Sequence, residues 1–159
     1  MLGAALSIVG CDQATKQLAT QTLSGQPARS YFLDVVRLTY AENPGAFLSL
    51  GADFPEPVRF FLFVLATGLT LLLLVACAIR YQWAGWRLLG LTLFVAGGIS
   101  NFADRVADGT VVDFLNVGLG PIRTGIFNVA DMALLAGCCV FALSEIRLRR
   151  RRSDPRVSK

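Results

Sequence analysis

The chain alternates between long apolar runs and short polar segments. The clearest run, residues 58–79, reads VRFFLFVLATGLTLLLLVACAI and has no charged residue between Arg59 and Arg80. As a helix it is long enough to cross about 30 Å of hydrocarbon. Two further runs, at about 88–105 and 126–146, have a similar pattern, so we predict membrane-spanning helices at all three.

The N-terminal segment has two interpretations because it is apolar only as far as Cys11. A cleavable signal peptide is one of them, and IVGC at 8–11 resembles a lipobox in which Cys11 would be lipidated. However, no basic residue precedes this short apolar stretch. In addition, Asp12 and Lys16 are four residues apart, on one face of a helix. We therefore predict a retained first span over about 1–23, shortened by a late start codon.

Two polar segments, at about 24–57 and 106–125, separate the predicted spans. Within the first, YFLDVVRLTYA is typical of a strand, and Pro44, Gly45 and Gly51 are turn signals. The predicted fold is a mainly α membrane protein with four transmembrane helices and a small extracytoplasmic β-containing segment. It forms one domain over 1–159.

The composition supports a membrane protein, and the distribution of charge predicts its orientation in the membrane. Hydrophobic residues make up 54% of the chain and charged residues 16%, and the mean hydropathy is +0.56. A soluble domain has about 25% charged residues. The net charge of +4 comes from the C-terminal RLRRRRSDPR, which indicates a cytoplasmic end rather than a nucleic-acid partner. We expect both termini, the 80–87 loop and the tail at 147–159 to be cytoplasmic, and 24–57 and 106–125 to be outside.

The four cysteines give no sign of a metal site or a disulfide framework. They all lie in apolar runs, none has CxxC spacing, and the chain has no histidine to complete a zinc set. We interpret them as buried small hydrophobic residues, and we expect neither a metal nor another cofactor. The four are Cys11, Cys77, Cys138 and Cys139.

Two near-repeats, SNFADRV at 100–106 and FNVADMA at 127–133, place an amide and a carboxylate at the end of an apolar run. Asp104 lies about 25 Å of helix from Arg87, and Asp131 about 24 Å from Arg147, at ~1.5 Å per residue. Both carboxylates should therefore lie near the outer membrane face, with Asp113 in the loop between these helices. Carboxylates at such depth usually face a protein interior or a water-filled cavity.

Elimination leaves a pair of aspartates as the most plausible chemistry. Without histidine, Ser-His and Cys-His arrangements are impossible. Lys16 could serve a serine as base, but no motif surrounds a partner serine. Two close carboxylates do not both ionise readily, so one can act as acid while the other activates water. The alternatives are polar contacts between helices with an Asp104–Arg105 ion pair, or proton or ion handling.

Five motifs together resemble the bacterial lipoprotein signal peptidases, also called signal peptidase II. They occur in the family's order and at family-like spacing across nearly the whole chain. They are DQATK at 12–16, ENPGAF at 42–47, GGISNFADRV at 97–106, VVDF at 111–114 and FNVAD at 127–131.

The resemblance implies a membrane-embedded aspartic endopeptidase of the bacterial cytoplasmic (inner) membrane, with its active site near the outer face. Its substrate would be a diacylglyceryl-modified prolipoprotein, cleaved just before the lipidated cysteine. Asp113 and Asp131 match the catalytic pair. Asn43 would lie in a loop that covers the substrate, and Arg105 would contact a substrate carbonyl. The supporting positions are Asp12, Lys16, Asn43, Gly45, Asn101, Asp104, Arg105 and Asn128, with Asp12 and Asp104 structural.

The chain departs from the family pattern at three places. Pro44 alters the first-loop motif, Ser100 replaces the usual glycine before Asn101, and Met132 replaces a small polar residue after Asp131. These departures affect substrate choice more than reaction type. A non-cleaving paralogue that binds lipoprotein or lipid is the alternative function. As partners we expect the lipidated prolipoprotein and membrane lipid, and we expect a monomer.

Overall fold

The computed structural model describes residues 1–46 and 49–153, with side chains as far as Arg150. Long helices dominate, and a small antiparallel sheet lies at one end of them. The mainly α class with a β-containing segment is therefore confirmed. The elements are α1 (Leu2–Leu23), β1 (Arg29–Tyr31), β2 (Val36–Asn43), α2 (Glu56–Phe60), a π-helical segment (Phe61–Ala66), α3 (Thr67–Arg80), α4 (Gly85–Asp108), β3 (Val111–Leu119), β4 (Ile122–Arg123) and α5 (Val129–Ser153).

Within the part of the chain that the structure describes, two helical stretches are long and apolar enough to cross a membrane. They are Glu56–Arg80, which combines α2, the π-helical segment and α3, and Val129–Arg150 within α5. Helices α1 and α4 carry more polar residues, and for them a membrane crossing remains a prediction. The two stretches agree with the apolar runs at 58–79 and 126–146.

Helix α1 is an integral part of the fold. It contacts α4, α5 and the sheet. Its buried residues, Asp12, Lys16, Ala19 and Leu23, recur every three or four positions and so lie on one face. Ala19 and Leu23 pack with Phe114 of β3 in a hydrophobic cluster. The charged pair lies one to two turns away on the same face, where it meets α4.

Helices α4 and α5 pack together closely because glycines line their contact. A Cβ atom on Gly97 would collide with the carbonyl oxygen of Ala130, and one on Gly90 would lie 2.7 Å from the backbone nitrogen of Phe141. Close approach through small residues is a common way for membrane helices to associate. Gly97 therefore serves helix packing. Gly98 instead faces the side chain of Leu71 in α3.

The sheet has the order β1-β2-β3-β4, and all neighbouring strands are antiparallel. In the central pair, Ala41 lies opposite Asp113 and Asn43 opposite Val111. The prediction that Asp113 lies in a loop was therefore wrong, because the VVDF segment belongs to β3, which pairs with β2. Asn43 is likewise the last residue of β2 rather than part of a covering loop. Phe47 of the ENPGAF motif and the tail beyond 153 lie outside the described residues.

The prediction of buried cysteines was also wrong. All four are free and exposed on the isolated chain. Apolar character in a membrane helix does not require burial inside the protein, because lipid covers the outward faces. The four positions lie on α1, α3 and α5.

Candidate active site

The start of α5 fixes Asp131 through a reciprocal pair of hydrogen bonds. Asn128 directly precedes the helix, and its Oδ1 accepts a 2.9 Å hydrogen bond from the backbone N–H of Asp131. The Oδ2 of Asp131 in turn accepts a 3.3 Å bond from the backbone N–H of Asn128. This is the arrangement of a capping box, which satisfies helix N–H groups that lack intrahelical partners. Asn128 is completely buried.

The same Asn128 side chain also reaches Asp113. Its Nδ2 donates a 2.7 Å hydrogen bond to Oδ1 of Asp113. The other carboxyl oxygen, Oδ2, accepts a 3.0 Å bond from Nδ2 of Asn43. Asp113 is only 2% exposed. Asn128 therefore hydrogen-bonds to both aspartates. Its Oδ1 accepts from the backbone N–H of Asp131, and its Nδ2 donates to the carboxyl group of Asp113.

Asn101 joins α4 to this group. Its Nδ2 donates a 2.8 Å hydrogen bond to Oδ1 of Asp131. Its Oδ1 accepts bonds from Asn128 Nδ2 at 3.2 Å and from Lys16 Nζ at 2.7 Å. The amides of the two Asn-x-Ala-Asp motifs are therefore in direct contact.

Lys16 forms the centre of a buried ionic cluster on the α1 side. Its Nζ lies 2.6 Å from Oδ2 of Asp12 and 2.6 Å from Oδ2 of Asp104, and the residue is 4% exposed. Oδ1 of Asp12 accepts a 2.7 Å bond from the backbone N–H of Ala130, in the first turn of α5. Asp104 therefore faces α1 and pairs with Lys16, and it does not form the ion pair with Arg105 that the alternative interpretation included.

Two further residues complete this cluster, and neither was predicted as a site residue. Gln13 Nε2 donates to Asp104 Oδ1 at 2.7 Å and to Ser100 Oγ at 3.0 Å. Ser100 Oγ donates to Asp12 Oδ2 at 2.8 Å. Their positions in the sequence could have indicated this role, because Gln13 follows Asp12 in DQATK and Ser100 precedes Asn101 in GGISNFADRV. Ser100 had been noted only as a departure from the family pattern.

Arg105 connects α4 to the turn that follows β2. Its Nη2 donates to the carbonyl oxygen of Gly45, and its Nη1 donates to the carbonyl oxygen of Asn101 at 3.1 Å. Asn43 shapes the same turn, because its Oδ1 accepts the N–H of Gly45 at 3.0 Å and its Nδ2 donates to the carbonyl of Ala46 at 3.0 Å. Gly45 has no room for a side chain, since a Cβ would lie 2.5 Å from the carbonyl oxygen of Leu50.

A cavity of about 820 Å³ opens beside this group, between the α2–α3 region, α4 and α5. Asn101, Arg105 and Asp131 form its charged and amide lining, while Asp113 does not reach it. Met132, the departure beside Asp131, also lines the cavity. Most of the remaining lining is apolar and includes Leu62, Phe63, Leu71, Phe94, Phe127 and Leu135.

Burial, and to a smaller extent the nearby carboxylate of Asp131, raises the pKa of Asp113 to about 6. The hydrogen bonds from Asn43 and Asn128 and the charge of Lys16 act in the opposite direction, because they favour the ionised form. Asp113 therefore keeps its proton to a higher pH than an ordinary aspartate. The site combines a carboxyl group poised to hold a proton with a second carboxylate that faces a cavity.

Comparison with known proteins relates the chain to one family. Residues 4–147 match the family model described as Signal peptidase (SPase) II. A lipoprotein signal peptidase from Streptococcus pneumoniae is 35% identical, with 89% of each chain covered. One from Geobacter metallireducens is 36% identical over 94% of this chain and 91% of its own.

Solved structures give the same result for the fold. A bacterial membrane enzyme superposes with a TM-score of 0.77 at 26% identity, over 95% of this chain and 88% of that one. A second has a TM-score of 0.73 at 28% identity, with 88% of each chain covered. By motif order, fold and sequence match over most of its length, the chain belongs to the signal peptidase II family.

Proposed function

We propose that this protein is a membrane-embedded aspartic endopeptidase that removes signal peptides from diacylglyceryl-modified prolipoproteins, cleaving just before the lipidated cysteine. Membership of the signal peptidase II family supports the protease activity, and the names of the relatives support the class of substrate. The observation that carries the aspartic mechanism is the shared contact of Asp113 and Asp131 with Asn128, at the polar end of an apolar cavity.

The two carboxyl groups take different roles in the proposed reaction. Asp131 lines the cavity, so its carboxylate accepts a proton from a water molecule whose oxygen attacks the scissile carbonyl carbon. Asp113, with its raised pKa, donates its proton to the carbonyl oxygen, which gives a neutral tetrahedral diol. Collapse of the diol breaks the C–N bond, and the leaving amine takes a proton from Asp131. One diol hydroxyl returns a proton to Asp113.

The cavity suits a substrate that is mostly hydrocarbon. Its apolar lining can hold lipid chains and an apolar signal sequence, while Asn101, Arg105 and Asp131 face the peptide bond. Arg105 Nη2 already binds a backbone carbonyl, that of Gly45. In the proposed complex a substrate carbonyl replaces the Gly45 carbonyl. This exchange moves the turn after β2, which also releases the Asn43 contact that keeps Asp113 covered.

The proposed mechanism gives the supporting residues distinct tasks. Asn128 and Asn101 orient the carboxyl groups through the hydrogen bonds described above. Asp12 and Asp104 are structural, because both bind Lys16 away from the cavity. The chemistry uses two carboxyl groups and water, with no cofactor.

The proposed topology has four spans, formed by α1, the α2–α3 stretch, α4 and α5. Both termini and the 80–87 loop lie in the cytoplasm, and the sheet and the site lie at the outer face of the inner membrane. The charge distribution supports this orientation, because arginines flank the 80–87 loop and follow 146. The protein acts as a monomer.

A gel-shift cleavage assay on a diacylglyceryl-modified prolipoprotein tests the proposal. Asp113→Asn and Asp131→Asn should each abolish cleavage while the purified protein keeps its helical circular dichroism and melting temperature. The double variant should be no worse than either, because residues that act as a unit are not additive. Asp108→Asn, at an exposed carboxylate at the end of α4, is the matched control and should retain activity.

The outcome also separates the proposal from its alternative. A wild-type protein that binds the lipidated substrate without cleaving it would identify a non-cleaving paralogue. Substantial cleavage by either folded aspartate variant would contradict the aspartic mechanism while leaving the family's peptidase activity in place.

A further inference from the structure

A second cleft lies at the opposite ends of α4 and α5 from the candidate active site. It has a volume of about 640 Å³ and lies between the loop after α3 and the last turns of α5. Arg87, near the start of α4, and Asp104 are about 25 Å apart along the helix by its rise. The cleft therefore lies near the predicted inner membrane surface. Nothing in the proposed peptidase mechanism uses it.

The cleft is basic and aromatic. Arg87, Arg147 and Arg150 line it together with Tyr81, Trp83 and Trp86. Among the described residues that line it there is no carboxylate. Tyr81 and Trp86 are 67% and 60% exposed, which places large amphipathic rings where membrane and water meet.

One of these arginines, Arg87, is held in place by two neighbouring side chains. Arg87 forms an ion pair with Glu145 at 2.5 Å, and its guanidinium carbon lies 4.8 Å from the centre of the Trp83 ring. Glu145 balances the charge of Arg87, and Arg147 and Arg150 add two further guanidinium groups to the lining of the cleft. Both are exposed residues on the last described turns of α5.

An apolar cavity lies on the membrane side of the same loop. It has a volume of about 470 Å³, and it shares Gln82 and Trp83 with the basic cleft. Its other lining residues come from the N-terminus, α1, α3 and α4, and none of their side chains is charged; they include Leu2, Val75, Ile79 and Leu91. A basic cleft beside an apolar cavity matches a molecule with an anionic head and a hydrocarbon tail.

We propose that this cleft binds the headgroup of an anionic phospholipid, with Arg147 and Arg150 contacting the phosphodiester and an acyl chain entering the cavity beside Trp83. Basic pockets between membrane helices are suited to such headgroups because phosphate accepts hydrogen bonds from arginine and the interface supplies lipid at high local concentration. The adjoining apolar cavity favours a lipid over soluble phosphate.

The only two tryptophans of the chain, Trp83 and Trp86, both line the cleft, so their fluorescence reports on it directly. Phosphatidylglycerol with brominated acyl chains, which quench tryptophan on contact, is titrated into the purified full chain in detergent micelles. Brominated phosphatidylcholine is titrated in parallel. Phosphatidylglycerol should quench half-maximally at a clearly lower mole fraction than phosphatidylcholine.

The variants separate a built site from general surface charge. Arg147→Gln should raise the half-quenching mole fraction of phosphatidylglycerol about fivefold, the expected effect of one interfacial arginine. Arg150→Gln should act in the same direction. Arg149→Gln removes the same charge from the same turn of α5 but does not line the cleft, so it should have little effect.

Three results would overturn the proposal. One is equal quenching by the two lipids, and another is an equal loss in Arg147→Gln and Arg149→Gln, which would indicate non-specific attraction. The third is a tryptophan response to inorganic phosphate alone, together with displacement of phosphatidylglycerol by that phosphate. That last result would identify a soluble anion site instead.

Discussion

Asn101 donates a 2.8 Å hydrogen bond to Asp131, and so connects the ionic cluster on α1 to the carboxylate that faces the cavity. The connection passes through the other end of the same amide, where Oδ1 accepts a 2.7 Å bond from Lys16. Because Lys16 binds the Oδ1 end of this amide, the Nδ2 end points toward Asp131. Lys16 therefore orients the hydrogen-bond donor to Asp131 without contacting the carboxylate. Lys16 thus acts on Asp131 through the Asn101 amide, which lies between the two charged groups.

The first prediction concerns Lys16, whose removal should act mainly on stability. In Lys16→Met the carboxylates of Asp12 and Asp104 would lose a buried cation 2.6 Å from each. Breaking a buried ion pair by removing one partner costs about 3–5 kcal/mol. We expect a clearly lower melting temperature in detergent, measured by circular dichroism or a thiol-independent dye assay.

A compensating variant is the control for this prediction. Lys16→Met combined with Asp104→Asn removes one of the two unpaired charges and should recover part of the lost stability. A purified Lys16→Met protein with normal melting temperature and no cleavage would contradict the structural role and favour lysine as a catalytic base.

The second prediction separates the two tasks of Asn128. In Asn128→Ser the hydroxyl can still accept the N–H of Asp131 and cap α5, but it is too short to keep the 2.7 Å bond to Asp113. We expect near-normal stability with kcat lowered by about 10²-fold, the scale of a lost positioning contact. Asn128→Ala should lose the cap as well, at about 1 kcal/mol of unfolding free energy.

Measurements of both kcat and the melting temperature check this prediction. If Asn128→Ser kept full kcat, the contact with Asp113 would have no part in the reaction. If it melted as low as Asn128→Ala, the serine would not be capping the helix.

The third prediction concerns the contact between α4 and α5. In Gly97→Ala the new methyl group would collide with the backbone of Ala130, one residue before Asp131. Overpacking of this kind typically costs about 1–3 kcal/mol. Gly10→Ala, where nothing lies within 4 Å of the new Cβ, is the matched control and should not lower the melting temperature. Equal melting temperatures for wild type and Gly97→Ala would show that the helices can separate freely there.

The fourth prediction is the membrane orientation. Because all four native cysteines are exposed, they are first replaced by serine. Single cysteines are then introduced as Gln82→Cys in the 80–87 loop, Ser158→Cys in the tail and Gln26→Cys before the sheet. A membrane-impermeant thiol reagent applied to cells with an intact inner membrane should label only the position at 26. Labelling at 82 or 158 from outside would contradict the cytoplasmic assignment of the segment that carries it.

The sequence predicted the elements better than their contacts. Apolar runs indicated the long helices, and similar distances from flanking arginines predicted a similar depth for Asp104 and Asp131. Asn101, one helical turn before Asp104, is hydrogen-bonded to Asp131. Long-range pairing was not predictable in the same way. Asp113 is in a strand because β2 pairs with it from more than sixty residues away. Asp104 pairs with Lys16 rather than the adjacent Arg105, because α1 approaches that face of α4.

The fifth prediction is the pH dependence of cleavage. Asp113 acts as the acid in the proposed reaction, so activity requires its protonated form, and its pKa is raised to about 6. The value of kcat/KM, which reports the free enzyme, should therefore fall as pH rises through about 6. Bound substrate excludes water and disfavours the ionised form further, so the same limb in kcat should lie at higher pH.

Asn43 provides the decisive variant for this assignment. Its Nδ2 donates a 3.0 Å hydrogen bond that favours ionised Asp113, so its loss in Asn43→Ala should raise the pKa of Asp113 further. The alkaline limb of kcat/KM should then move to higher pH, even if the maximal rate falls because the turn after β2 is loosened. Asp108→Asn should leave the limb in place. A limb that moves to lower pH in Asn43→Ala, or stays unchanged, would mean that a group other than Asp113 supplies the proton.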